Sequence, residues 1–301
     1  MRLIHKFLCA ALASLAALPA VAALNVFVCE PEWGALAKEI GGEKVTVYSA
    51  TTALQDPHRI EARPSLIARM RSADLVVCTG SDLEVGWLPL LFTQSGNAKI
   101  QPGSPGYLEA SQAVVRIEIP KVIDRSMGDI HPGGNPHIQL DLRNIAKVAV
   151  VLAGRMAQID PAGADAYKVG SAAFLQKWQA AIGRWETEGA RLKGVPVVVY
   201  HRDMSYFIKW MGMREVGSLE PKPGLPPTPS HLADLVERMK REPAKVVVYS
   251  AYNSPKAAEF LSERSGIPAV MLPFTVGGSD KAKDLFGLFD DTFARLLGAV
   301  K

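Results

Sequence analysis

The stretch Val195-Pro196-Val197-Val198-Val199-Tyr200-His201-Arg202-Asp203-Met204-Ser205-Tyr206-Phe207 decides how the rest of the chain is read. Its apolar opening, Val195 to Val199, predicts a strand buried on both faces, as in a parallel sheet covered by helices. His201 then stands at the C-terminal end of that strand, the edge at which open α/β sheets hold their ligands. Two more histidines have comparable settings. Asp56-Pro57-His58 follows the strand-like Val45-Thr46-Val47-Tyr48, and Asn135-Pro136-His137 closes a Gly/Pro-rich turn ahead of a helical segment. Three histidines far apart in sequence, each in a loop between regular elements, can converge on one metal ion, neutral imidazole being the commonest metal ligand.

Outward from that stretch, strand and helix signals alternate in both directions, which argues for parallel sheets flanked by helices. On the N-terminal side the strands are Asn25 to Cys29, Val45 to Tyr48, Ala73 to Thr79 and a weaker one at Val114 to Ile119. Helices are predicted at Glu32 to Ile40, ending on Gly41-Gly42, and at Pro64 to Arg71, Trp87 to Gln94 and Asp141 to Ile159. On the C-terminal side come a short helix from Ser205 to Met211, a helix from Leu232 to Lys240 with Ser230 as its cap, and a strand from Val246 to Ser250. A helix at Pro255 to Ser265, a strand at Ala269 to Leu272 and a closing helix from Phe286 to Leu297 complete the set. Leu219 to Pro229 holds five prolines and one glycine in eleven residues, which forbids a helix and predicts an extended surface loop.

Between the two halves, Ala162 to Leu192 reads as one long helix bearing Tyr167, Phe174, Leu175, Trp178, Ile182 and Trp185. About thirty helical residues span roughly 45 Å, enough to tie two lobes together. A helix pair broken near Gly170 or Gly183 is the other reading. The fold class is therefore α/β: two lobes, each a small mostly parallel sheet flanked by helices, joined by one long rigid helix. The boundaries read as 1–23 for an export signal, 24–160 for the N-terminal lobe, 161–193 for the linking helix and 194–301 for the C-terminal lobe.

The chain has 301 residues, 48% hydrophobic and 21% charged, an ordinary globular composition whose length suits two domains. Arg2 and Lys6, the apolar run Phe7 to Leu18 and Ala20-Val21-Ala22 have the three-part form of a secretory signal. Cys9 lies inside the apolar run and not at the cleavage point, so a soluble exported protein is expected and a lipid anchor is not. The net charge of +4 falls to +2 without Arg2 and Lys6. No dense basic cluster remains to suggest nucleic-acid binding. Cys29 and Cys78 both end apolar strands. An oxidising compartment permits a disulfide between them, and two buried free thiols are the alternative.

Of the other histidines, His131 is six residues before His137 and reads as a second-site ligand or an ordinary loop residue, the latter preferred. His231, at a helix start, reads as a capping or packing residue. No His-Glu-x-x-His helix, Gly-x-Ser-x-Gly elbow, phosphate loop or dinucleotide turn is present. Gly277-Gly278-Ser279 reads as a turn, and Asp290-Asp291 as the solvated face of the last helix.

At these residues the sequence resembles the periplasmic metal-binding proteins of zinc and manganese ABC importers. The resemblance runs through Glu39-Ile40-Gly41-Gly42 with Val45-Thr46-Val47, Asp56-Pro57-His58, Asn135-Pro136-His137 with Leu140-Asp141, the long helix, and Tyr200-His201 with Tyr206-Phe207. It implies two lobes on a rigid helix, with the metal in the cleft on His58, His137 and His201. It also implies delivery to a membrane permease and no catalysis, by a chain that works as a monomer. Histidine in place of glutamate at position 201 favours Zn2+ over Mn2+ or Fe2+, since nitrogen donors suit zinc. One departure stands out. The family places a carboxylate ligand after the last strand, where this chain has Leu272-Pro273-Phe274-Thr275. The site is then three histidines plus water, or Asp280 reaches in as the fourth ligand. Three histidines with an open position also describe a catalytic zinc, for which Glu61, Asp203 and Glu220 are the nominal bases.

Overall fold

A computed structural model describes residues 23–300; the export signal read at 1–23 lies outside the described residues except for Ala23. Valine-rich runs make the centre of two four-stranded sheets. The first contains β1 (Leu24–Val28), β2 (Val45–Ser49), β3 (Leu75–Cys78) and β4 (Tyr107–Glu109) in the order β2-β1-β3-β4, all parallel. The second contains β5 (Pro196–Val199), β6 (Arg214–Ser218), β7 (Val246–Ser250) and β8 (Ala269–Leu272) in the order β6-β5-β7-β8, again all parallel. The two sheets repeat one topology. In each, the chain turns from one side of the first strand to the other, which leaves a crevice at the C-terminal ends of the two central strands.

Helices α1 (Pro31–Gly41), α2 (Pro64–Arg71), α3 (Leu88–Ser95) and α4 (Leu142–Ile159) accompany the first sheet. Helices α6 (Ser205–Met211), α7 (Pro229–Arg241), α8 (Lys256–Ser265) and α9 (Leu285–Ala299) accompany the second. Between them runs α5 (Ala164–Gly189), continued by single 3-10 turns at Pro161–Gly163 and Ala190–Leu192. Its 26 residues extend roughly 39 Å. The helix is unbroken at Gly170 and Gly183. Gly170 is there for another reason: a Cβ on it would stand 2.0 Å from the Ile40 carbonyl oxygen, so glycine lets α1 cross α5 backbone to backbone.

Tyr167, Phe174, Trp178, Ile182 and Trp185 form the buried stripe of α5. Trp178 and Trp185 meet Phe286 and Phe289 of α9, while the Trp178 indole N–H donates to the Leu142 carbonyl of α4 at 2.8 Å. Each fully buried large side chain of this kind contributes roughly 1.5–3 kcal/mol. One helix thus shares its apolar face with both lobes, and among the described residues no helix is long and apolar enough to cross a membrane.

Several local expectations need correction. Val114 to Ile119 is not a strand: Val115 and Ile119 are exposed, and the segment crosses between lobes, with the Ile117 N–H donating to the Tyr206 hydroxyl at 3.2 Å. The fourth strand is Tyr107–Glu109 instead, and the edge strand β6 was not expected at all. Thr228, not Ser230, caps α7, accepting the His231 N–H at 3.3 Å, because the helix starts at Pro229. Asp291 does not face solvent; it is buried, accepting from Ser279 at 2.6 Å and Arg295 at 2.7 Å.

Candidate metal centre

The two D/N-Pro-His tripeptides share one local device. In each, the side-chain oxygen of the first residue accepts the backbone N–H two residues on, an Asx turn. Asp56 Oδ1 accepts from His58 N at 3.0 Å, and Asn135 Oδ1 accepts from His137 N at 3.0 Å. The intervening proline has no N–H to compete. The turns differ in their second contacts. Asp56 Oδ1 also lies 2.7 Å from His58 Nδ1. A carboxylate of this kind accepts, so the ring keeps its proton on Nδ1 and presents the Nε2 lone pair. Asn135 uses its amide instead, donating to the Arg202 carbonyl at 2.8 Å, while the Tyr206 hydroxyl donates to the Asn135 carbonyl at 3.0 Å. His137 is thereby fixed to the residue that follows His201 in the other lobe.

His201 continues from β5 and is held from behind. Its Nδ1–H donates to Glu220 Oε2 at 2.7 Å, and the same oxygen accepts the Gly224 N–H at 2.8 Å. The proline-rich loop read as surface therefore folds back to orient this ring. The outcome is a three-way contact: ring centroids of His58, His137 and His201 are 5.5–5.6 Å apart in every pairing. One ligand nitrogen from each lies within 4.8 Å of the others. A zinc ion with 2.0–2.1 Å bonds needs about 3.3 Å between ligand atoms, so a small inward movement closes the set.

His137 carries the strongest mark of an intended ligand. It is 1% exposed, and neither ring nitrogen has a hydrogen-bond partner. An unpaired buried polar group is worth about 1–3 kcal/mol of lost stability, which a bound cation would relieve. Burial, then the neighbouring imidazoles His58, His201 and His131, hold its pKa well below the usual histidine value, so it stays a neutral donor. At His201, burial alone would lower the pKa, but the hydrogen bond to Glu220 and the charges of Asp203, Glu220 and Asp56 outweigh it and raise it. At Asp56, burial is likewise outweighed, by the His58 ring, and the carboxyl pKa is lowered.

Other sequence candidates separate from this group. Asp280 is exposed and outside it; on that side Phe274 packs edge-on against His137, centroids 5.4 Å apart, and Thr275 donates to Glu32. His231 donates from Nε2 to the Ser218 carbonyl at 2.9 Å. Glu61 is exposed, Glu220 is engaged with His201, and Asp203 accepts from the Ser250 and Tyr252 hydroxyls. None is free beside the histidines as a base. His131, for which a loop role is the preferred reading, lies outside that group, with its Nε2 3.2 Å from His58 Nε2. A second group of metal-ligating residue types, Cys29, Cys78 and Glu84, also exists. The two sulfurs are joined in a disulfide, Cα atoms 4.8 Å apart, so neither is a thiolate ligand.

Two parallel-sheet lobes on a helical spine, with imidazoles from both lobes meeting between them, define a metal-binding solute receptor. Residues 26–299 match the family described as zinc-uptake complex component A, periplasmic (ZnuA), and the chain belongs to it, among the periplasmic metal-binding proteins of ABC-type importers. The manganese ABC transporter substrate-binding lipoprotein scaA of Streptococcus gordonii is 23% identical over 269 residues, covering 87% of this chain and 83% of its own length. The iron ABC transporter substrate-binding lipoprotein MtsA of Streptococcus pyogenes serotype M1 is 24% identical over 256 residues, covering 82% and 78%. A crystal structure of ZnuA superposes with a TM-score of 0.79 at 22% identity, covering 93% of this chain and 100% of that one. The likeness to the solved structure is one of fold.

Proposed function

We propose that the protein captures Zn2+ between its lobes on His58, His137 and His201 and delivers it to an ABC permease. The observation that carries this reading is the meeting of three imidazoles from both lobes, one of them buried with both ring nitrogens unpaired. Relatives named for manganese and iron match over most of the chain, so the metal is argued from the donor set. Imidazole nitrogens suit zinc, whereas manganese favours carboxylate and carbonyl oxygen. All three histidines come from one chain, so a monomer suffices for capture. Asp56 and Glu220 orient two of the rings and supply nearby negative charge, while the neutral donors meet the ion.

The test is equilibrium dialysis of the mature protein against buffered zinc. His58→Ala, His137→Ala and His201→Ala are each expected to weaken binding by roughly 10²- to 10³-fold, one ligand's share of the free energy of a four-ligand zinc site. His231→Ala is expected to match wild type. Undiminished affinity in any of the first three variants removes that residue from the site.

A further inference from the structure

We propose that His131 is the fourth ligand of this site, giving four imidazoles where a carboxylate would otherwise complete the set; the inference rests on the three-histidine reading above. His58 keeps its proton on Nδ1, facing Asp56 at 2.7 Å, so its Nε2 lone pair points away from that carboxylate. His131 Nε2 stands 3.2 Å from that nitrogen and donates its proton to the lone pair, a hydrogen bond that an ion between the two rings would replace. Two ligands on one tetrahedral zinc ion are separated by about 3.3 Å. The pair already has the spacing of an edge of the coordination polyhedron, with His58 as the ring common to both His131 and the His137–His201 pair.

The surroundings point the same way. The loop after β8 brings no carboxylate into the group: Phe274 covers His137, and the Thr275 hydroxyl is committed to Glu32. The opening that remains is a cavity of about 260 Å³ lined by Asp129, His131, Asn135, His137 and His201 among others. His131 reaches it from a braced turn. The Gly134 N–H donates to the His131 carbonyl at 2.9 Å, with Gly134 at φ +95°, and the Asn135 N–H donates to Ile117 at 2.8 Å. Upstream, the Asp129 N–H donates to the Pro223 carbonyl at 2.8 Å, in the loop that also holds Glu220 and Gly224. His131 lies outside the group whose ligand atoms are all within 4.8 Å, so it must swing toward the ion while His58 stays in place. It acts as the last ligand to close.

A four-nitrogen set carries no charge of its own and discriminates against manganese more strongly than a site with an oxygen ligand. The experiment uses the mature chain as wild type, His131→Ala, His131→Gln and, as a reference, His137→Ala. X-ray absorption of the zinc forms and the visible spectrum of the cobalt forms report coordination, and chelator competition reports affinity for zinc and manganese. Metal-free thermal melts identify any variant that fails to fold, and the two His131 substitutions back each other. The expected result is four imidazoles in wild type and three with an added oxygen in both His131 variants. Zinc affinity should fall by at least the roughly 10- to 100-fold that loss of an outer-shell partner produces, and the preference over manganese should narrow. Unchanged coordination and zinc affinity in both His131 variants, with His137→Ala defective, would overturn this inference alone. Retained affinity in His137→Ala as well would overturn the three-histidine reading beneath it.

Discussion

The two sheets have the same strand order and the same crevice between their central strands, yet the crevices have opposite fates. In the C-terminal lobe the chain leaving β5 presents His201 to the cleft, oriented by Glu220 from the far side. In the N-terminal lobe the equivalent crevice is sealed. Cys29, the residue after β1, and Cys78, the last of β3, are bonded to each other. Just beyond them, Glu84 accepts the Thr79 N–H at 2.7 Å and the Gly80 N–H at 3.1 Å, while Glu30 accepts the Thr79 hydroxyl at 3.0 Å. Burial, followed by the charges of Glu84 and Glu32, raises the Glu30 pKa well above the carboxylate range; burial lifts Glu84 and Glu32 to about 7. These acids keep their protons, which removes the charge a cation would answer, although one oxygen each of Glu30 and Glu32 has no hydrogen-bond partner. Among the imidazoles, by contrast, His137 is held neutral and has no partner for either ring nitrogen. Residue type alone therefore does not mark a metal site; donor atoms that carry neither a proton nor a disulfide bond do.

The largest expected effect tests that contrast directly. His137→Ala should reduce zinc affinity by roughly 10²- to 10³-fold, whereas Glu84→Gln should leave it unchanged and leave the stoichiometry at one. A loss of zinc in Glu84→Gln would show that the sealed crevice belongs to the site. Next in size is the disulfide. Replacing Cys29 and Cys78 together by serine should lower stability by about 2–4 kcal/mol, read from denaturant melts, with zinc binding by the folded protein preserved. Asp56→Asn and Glu220→Gln should each weaken zinc binding by roughly 10- to 100-fold, as loss of a partner that orients a ligand does. Titration calorimetry that ranks either above His137→Ala would make that carboxylate a ligand.

The smallest effect is a slope with pH. Glu32 and Glu84 keep their protons in the folded state up to about 7, above their ordinary 4.5. Their contribution to stability is fully present below about 4.5 and is lost as pH rises through about 7, because the unfolded chain ionises first. Each group changes stability by no more than about 1.4 kcal/mol per pH unit. The difference between wild type and Glu84→Gln, measured by denaturant melts of metal-free protein from pH 4.5 to 8, isolates this term from the histidines. A difference that grows in favour of wild type with rising pH would contradict the assignment.

Much of this architecture is legible in the residues. Strands buried on both faces announce themselves as valine runs, and β1, β3, β5 and β7 lie where such runs predict them. The edges are harder to read. Arg214–Ser218 holds one buried apolar residue, Val216, and Tyr107–Glu109 spans three residues beside a Gly/Pro-rich loop. Neither shows a period, because their pairing comes from the neighbouring strand. At the site, the Asx turns make His58 and His137 recognisable as supported side chains. The contacts of His131 and Glu220 with the site rings are hidden in the sequence because loops remote in the chain fold onto those rings. Glu220 lies 19 residues from His201, and His131 lies 73 from His58. Cys29 and Cys78 were open to two readings until the parallel register of β1 with β3 brought their backbones together.

The central claim is that imidazoles from two lobes form one zinc-selective site. A competition titration of metal-stripped mature protein against a chromophoric chelator, run with zinc and then with manganese, tests it most directly. The expected result is one tight zinc equivalent per chain with far weaker manganese binding. Tight manganese with weak zinc would contradict the metal assignment, and no tight binding of either would contradict the convergence of the histidines on a metal.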